Sequence, residues 1–241
     1  DGGAAFPVRV DRVASTFAGR PVLTDELDGP VDADVVVLQR PLTADLVTVI
    51  RGLKRQGVAV VVELDDDFEH IDPRNTAWAS VQPHLEQANG GYRHLRAACE
   101  LADLVTVSTP ALAALYGRHG RVRVIRNYVP RGYLHIEPPD QAAGYVRVGW
   151  SGNIDTPPAD LPVTRGAIGR VCRELDVPFH IVGDNDPRLT RALGLDAGTK
   201  IAHTGGWLPL AKYPVGMSLL DVGIVPLDLT PFNEAKSYLK G

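Results

Sequence analysis

The chain has 241 residues, a formal charge of −4, and 44% hydrophobic and 22% charged residues. That balance excludes a disordered segment and supplies no basic excess for wrapping nucleic acid. The two cysteines, Cys99 and Cys172, exclude a disulfide framework and point to a reducing cytoplasm, and no apolar run reaches the roughly 18 residues of a membrane span.

The length suits two domains of about 120 residues each. In chain order, short β-branched runs predict strands at Val35–Leu38, Val58–Leu64, Leu104–Val107 and Val122–Ile125. Four more follow at Val146–Trp150, Phe179–Val182, Lys200–Ala202 and Val222–Pro226. Helical periodicity fills the gaps. Thr43–Gln56 sets Leu46, Val49, Ile50 and Leu53 on one face, with Gly57 closing it. Pro83–Ala102 is longer. Thr109-Pro110 opens a helix with a capping hydroxyl and a proline at its first position. Asp160–Leu175 and Leu208–Leu220 complete the series. Strands alternating with helices imply βαβ units, parallel sheets and an α/β class of two Rossmann-like domains facing a cleft. Right-handed crossovers bring every strand-to-helix loop to one edge of its sheet.

The stretch from Tyr128 to Gly144, with Pro130, Pro138, Pro139 and Gly132, breaks that rhythm. It predicts a connection with its boundary near residue 142: residues 1–142 form one domain and 143–241 the other. Both ends read as open. Gly2-Gly3 has no strand before it, and the second half shows only four strands, so the second domain is expected to be partial.

Candidate site residues cluster where strands end. After the fifth predicted strand, Ser151 and Asn153 offer hydrogen bonds and Gly152 admits close backbone approach; successive loop N–H groups there form an anion nest, or the loop is a plain polar turn. After the sixth, Gly183 is followed by Asp184 and Asp186. Either acid could hold a ribose hydroxyl, and Asp186 could equally cap the helix opening at Pro187. Trp207 could stack on a nucleotide base or pack on the next helix. After the eighth, Pro226 and Pro231 bracket a turn, and Phe232-Asn233 open a helix carrying Lys236, Ser237 and Lys240. A cation past a strand end, near a helix N-terminus, suits a phosphate. In the first half, Glu63-Leu64-Asp65-Asp66-Asp67-Phe68-Glu69-His70 packs five acids and a histidine behind a strand. Adjacent carboxylates raise one another's pKa unless a cation or donor relieves them. Asp66, Asp67 and His70 could therefore bind a metal, supply a general base or hold acceptor hydroxyls, or the loop could be a hydrated acidic turn.

Taken together the segments resemble GT-B glycosyltransferases of the broad group-1 class. In the first half the matching pieces are Val37-Leu38-Gln39-Arg40, Lys54-Arg55-Gln56-Gly57 and Val60-Val61-Val62-Glu63-Leu64-Asp65-Asp66-Asp67, then Ala102–Thr109 and Val124–Asn127. In the second they are Val148–Asn153 with Asp160, Ile181-Val182-Gly183, Gly206-Trp207 and Phe232–Ser237. The resemblance implies transfer of a sugar from a nucleotide diphosphate sugar to an unknown acceptor, without a metal or other cofactor. It implies Ser151, Gly152, Asn153 and Lys236 at the diphosphate, with Phe232, Asn233 and Ser237 in the same segment. Gly183, Asp184 and Trp207 would lie toward the nucleoside, and Asp66, Asp67 and His70 toward the acceptor. Retention at the anomeric carbon is the commoner outcome in that class. One departure bears on it: the first of two spaced glutamates common in the class would fall at Ala235-Lys236.

Two rivals remain at this level. A metal-dependent GT-A glycosyltransferase would use Asp65-x-Asp67 and needs no second Rossmann-like half. A non-catalytic two-domain binding or assembly protein would keep the folds and lose the chemistry.

Overall fold

The structure, a computed structural model, describes residues 31–82, 84, 91–137, 144–152, 154, 160–183, 186–196, 198–205, 208 and 212–237. The chain divides into two compact units. One is Asp1–Tyr128 with Thr230–Leu239, the other Val129–Leu229 with Lys240–Gly241. The boundary expected near residue 142 lies outside the described residues. The segment Thr230–Leu239, expected in the second domain, belongs instead to the first unit, because Phe232 and Ala235 pack into that unit's core.

The first unit holds four parallel strands, β1 (Val35–Gln39), β2 (Ala59–Leu64), β3 (Leu104–Val107) and β4 (Val122–Val124), in the order β1-β2-β3-β4. The near-continuous apolar run of β2 marks a strand covered on both faces. Val60, Val62 and Leu64 are wholly buried there, beside Val105 and Val107 of β3. Helix α1 (Ala44–Arg55) starts where Thr43 accepts from the Leu46 N–H and stops at Gly57, whose φ of 81° favours glycine. Its buried stripe is Val47, Ile50 and Leu53; Leu46 and Val49 flank it half-buried. A short helix, α2 (Trp78–Val81), precedes α3 (Gly91–Leu101), so only the latter part of the expected Pro83–Ala102 helix is described. Helix α4 (Pro110–Tyr116) opens as expected: Thr109 accepts from Leu112 N–H and Pro110 takes the first position.

The second unit holds β5 (Val148–Gly152), β6 (Phe179–Gly183), β7 (Ile201–Gly205) and β8 (Val222–Gly223), all parallel, in the order β7-β6-β5-β8. The chain therefore steps outward from β5 to β7, then returns to β5's other side. This reversal is a topological switch point, and open α/β sheets bind ligands in the crevice beyond it. The two-residue β8 is fixed beside β5 by Asp221, whose carboxylate accepts from the Arg147 backbone N–H and from Nε and Nη2 of its guanidinium. The expected helix Asp160–Leu175 is two pieces. A 3-10 turn at Leu161–Thr164 is followed by Arg165 and Gly166 in left-handed conformation, and α5 (Ala167–Glu174) begins after them. Pro162 and Gly166 are the breakers. Helix α6 (Pro187–Ala192) is capped by Asp186, and of the expected Leu208–Leu220 helix only α7 (Tyr213–Met217) is helical among the described residues, with Leu208 and Ser218–Leu220 outside it. The chain then returns to the first unit as α8 (Pro231–Ala235).

Candidate functional site

Parallel strands put the loops after β1, β2, β3 and β4 on one edge of the first sheet. Arg40 follows β1 with a φ of 50° and donates its N–H to the Glu63 carbonyl. A residue outside glycine held in that region stores strain that its surroundings must sustain. The acidic run follows β2, and the structure sorts its members. Glu63 is buried and accepts from Gln39 Nε2 at 3.0 Å. Glu69 forms a forked ion pair with Arg96, Nε donating at 2.6 Å to one carboxylate oxygen and the second arm donating to the other. Asp67 is only 3% exposed. Its Oδ1 accepts from the backbone N–H groups of Glu69 and His70 at 3.0 and 3.3 Å, and its Oδ2 lies 2.7 Å from His70 Nδ1.

Asp65 and Asp66 are left for other work. Both are half-buried. Asp65 Oδ1 is buried with no hydrogen-bond partner among the described residues, while Ser108 Oγ donates to the Asp65 carbonyl at 3.3 Å. Burial pushes the Asp66 carboxyl up to about 6; Asp65 and, more weakly, Asp67 add to the rise, and Lys236 and Arg40 oppose it. Asp66 thus changes charge near neutrality.

Lys236 reaches this cluster on α8. It is not at a helix N-terminus, as the sequence suggests, but caps the C-terminal end of a five-residue helix. The helix ends there because Lys236 turns to an extended conformation, ψ 147°. Its ammonium lies 4.7 Å from the Phe232 ring centroid. Thr109 Oγ1 donates to the Ala235 carbonyl at 2.8 Å, and Asn127 Nδ2 donates to Ser237 Oγ at 2.9 Å. Asn233 is buried, its N–H held by Thr230 Oγ1. Asp66, Asp67, His70 and Lys236 thus share one edge of one sheet. The parts played by Thr109, Asn127 and Arg40 carry no local sequence signal beyond standing just after a strand.

In the second unit Ser151 and Gly152 end β5, and Gly183 ends β6. Register aligns Gly152 with Gly183 and Gly183 with Gly205, so three glycines cross the carboxyl ends of β5, β6 and β7. A side chain on Gly152 would meet the Trp150 ring at 2.6 Å. One on Gly183, whose φ is 124°, would meet the Gly152 carbonyl oxygen at 2.9 Å. Local packing therefore favours glycine at positions 152 and 183, and the row of three is bare of side chains. Ser151 Oγ donates to the Tyr213 hydroxyl at 3.0 Å. Across the switch point, buried Asp160 accepts from the Asp228 N–H at 3.0 Å, joining the segment after β5 to that after β8. Asp186 accepts from Arg188 N–H at 2.7 Å, the capping role. Asn153, Asp184 and Trp207 lie outside the described residues. His203 Nε2 donates to the Gly183 carbonyl, and His119 Nδ1 accepts from Arg121 N–H, so both are structural.

Among the described residues no group of three or more His, Cys, Asp or Glu side chains is arranged to hold a metal ion. Both cysteines are buried and free. Among the same residues no helix is long and apolar enough to cross a membrane.

No family model matches the chain, and no curated protein matches it. Solved structures with a similar chain course include the UDP-GlcNAc 2-epimerase of Neisseria meningitidis bound to UDP-GlcNAc: 13% identity, TM-score 0.44, covering 79% of this chain and 53% of that one. The UDP-N-acetylglucosamine 2-epimerase of Rickettsia bellii is 11% identical, with TM-score 0.40, covering 88% and 52%. A UDP-glucosyltransferase of Polygonum tinctorium capable of glucosylating indoxyl is 14% identical, with TM-score 0.38, covering 84% and 53%. This chain spans about half the length of each. Likeness of this degree carries no functional argument.

Proposed function

We propose that the protein is a glycosyltransferase of GT-B type, moving a sugar from a nucleotide diphosphate sugar to a hydroxyl acceptor without a resident metal. The observation that carries this reading is the Asp67–His70 pair beside Asp66 at the carboxyl end of β2. With Asp67 accepting from Nδ1–H, His70 Nε2 keeps a lone pair and can take a proton from an acceptor hydroxyl. The hydroxyl oxygen bonds to the anomeric carbon, the bond to the diphosphate oxygen breaks, and its electrons leave with the nucleotide. Asp66, able to hold or release a proton near neutrality, binds the acceptor's neighbouring hydroxyls.

In this reading the donor belongs to the switch-point crevice of the second unit. Ser151, Gly152 and Asn153 take the diphosphate; Gly183, Asp184 and Trp207 take the nucleoside. Backbone amides at strand ends stabilise charge on the departing phosphate. Both Asp67 carboxylate oxygens are already engaged by protein donors, which weighs against the Asp65-x-Asp67 metal reading.

A thermal-shift panel of UDP, GDP, dTDP and ADP sugars tests the donor class, since binding to the native state raises stability by mass action. Nucleoside diphosphates are expected to stabilise more than nucleosides. No shift with any of them removes the donor reading. Lys236→Ala decides which anion the lysine serves. Loss of the diphosphate preference assigns the ammonium to the phosphates, and its persistence removes that role. Transfer that survives EDTA separates this reading from the metal-dependent one. Retention is the outcome the resemblance implies, whereas a directly acting His70 favours inversion. The anomeric configuration of the first-formed product, read by NMR, separates them.

A further inference from the structure

We infer that Thr109 is a positioning residue, its hydroxyl holding the end of α8 so that Lys236 stands at the carboxyl-end edge of the first sheet; the link to transfer rests on the function proposed above. A five-residue helix does not hold itself together in water, where isolated helices shorter than about 12 residues are marginal. The form of α8 therefore depends on what grips it. Thr230 caps its start, and Phe232 and Ala235 sink into the first core. Its last carbonyls would otherwise go unsatisfied, as at every helix end. The Ala235 carbonyl is met by Thr109 Oγ1 in a buried setting.

That hydroxyl is used twice. It donates to Ala235 of α8 and accepts from Leu112 N–H at 3.3 Å as the cap of α4. One oxygen thus ties the start of one helix to the end of another, 126 residues away in sequence. One residue beyond Lys236, Ser237 is held by Asn127. Lys236 is consequently anchored on both sides of its own Cα. Its ammonium lies over the Phe232 ring, an attractive contact.

The test compares Thr109→Val, which keeps the shape and loses both bonds, with Thr109→Ser, which keeps both, in the full chain. The amides of Glu234 and Lys236, bonded to the Thr230 and Asn233 carbonyls, report whether α8 stays formed. Thr109→Val is expected to speed their hydrogen exchange by about fivefold, the worth of one buried hydrogen bond. Transfer should show a lower kcat at unchanged donor KM, and Thr109→Ser should restore both readouts. Unchanged exchange in Thr109→Val overturns the inference. So does equal acceleration at β2 and β3 amides, which would make the hydroxyl a general stabiliser, or a serine variant that behaves like the valine one. A wild-type chain that turns over no nucleotide sugar sinks the proposed function alone, and the exchange comparison then decides the positioning by itself.

Discussion

His70 Nδ1 stands 2.7 Å from Asp67 Oδ2, three residues earlier in the chain, and the same carboxylate's other oxygen caps the turn between them. One buried acid therefore shapes the loop and sets the histidine's tautomer together. Removing the ring should leave the fold and lose the chemistry. His70→Ala is expected to cut turnover by about 10²–10⁴-fold with little change in Tm. Asp67→Ala strips the acceptor from three donors at a buried position and should also lower stability, by about 2–4 kcal/mol. Turnover and urea midpoints for both variants check this. Equal turnover in His70→Ala and the parent would remove the base.

Asp66 gives a pH signature. Its carboxyl rises from an ordinary 3.8 to about 6 in the folded chain, chiefly through burial. Between those values the folded chain holds the proton more tightly than the unfolded one. Its contribution to stability is therefore full at low pH, declines as pH climbs from about 4 to about 6, and stays lost above. Asp66→Asn cannot titrate, so this declining segment should vanish from its profile. Urea midpoints of parent and variant across pH 3.5–7.5 give the difference curve. A difference curve flat through that window (about four pH units) contradicts the placement of Asp66.

Gly183 is tested by adding one methyl group. At a φ of 124° an L side chain is strained, and its Cβ would press the Gly152 carbonyl oxygen at 2.9 Å. Gly183→Ala is expected to cost about 1–3 kcal/mol and to weaken any nucleotide-dependent thermal shift. Gly198→Ala, which meets its nearest atom at 3.2 Å on a flexible arginine, is the mild comparison. Similar Tm losses for both would show that the glycine row is not tightly constrained.

Asp160 joins the two arms of the switch point through the Asp228 N–H. Asp160→Ala should destabilise by about 1–3 kcal/mol, whereas Asp160→Asn, which keeps an acceptor, should cost less. If the crevice binds the donor diphosphate, the alanine variant should also lose thermal stabilisation by nucleoside diphosphates. Calorimetric scans with and without ligand measure both effects. A full ligand shift in Asp160→Ala would place the nucleotide elsewhere.

Much of the architecture was legible because it is written locally. The apolar runs of β2, β3 and β6, the Thr43 and Thr109 caps, and Pro187 after Asp186 each fix their element through neighbours a few residues away. Boundaries slipped where breakers sat inside a periodic pattern, as Pro162 and Gly166 do in the stretch expected as one helix. The acidic run was legible as a cluster but not as a division of labour. Nothing in the order Asp65-Asp66-Asp67 reveals that Arg96 claims Glu69, Gln39 claims Glu63, and Asp67 turns back on His70.

By itself the amino-acid sequence determined that strands and helices alternate, that the sheets are parallel, and that polar and glycine residues gather at strand ends. Those are properties of residue type and spacing, which act over one turn or one strand. Tertiary structure alone decided where Lys236 stands. Its helix is too short to be stable unaided, so its place follows from Ala235 and Phe232 burying themselves in the first unit and from a threonine hydroxyl 126 residues away in the chain. Burial then does most to raise the Asp66 carboxyl, and that burial is tertiary, whereas the smaller push from adjacent Asp65 is written in the local sequence.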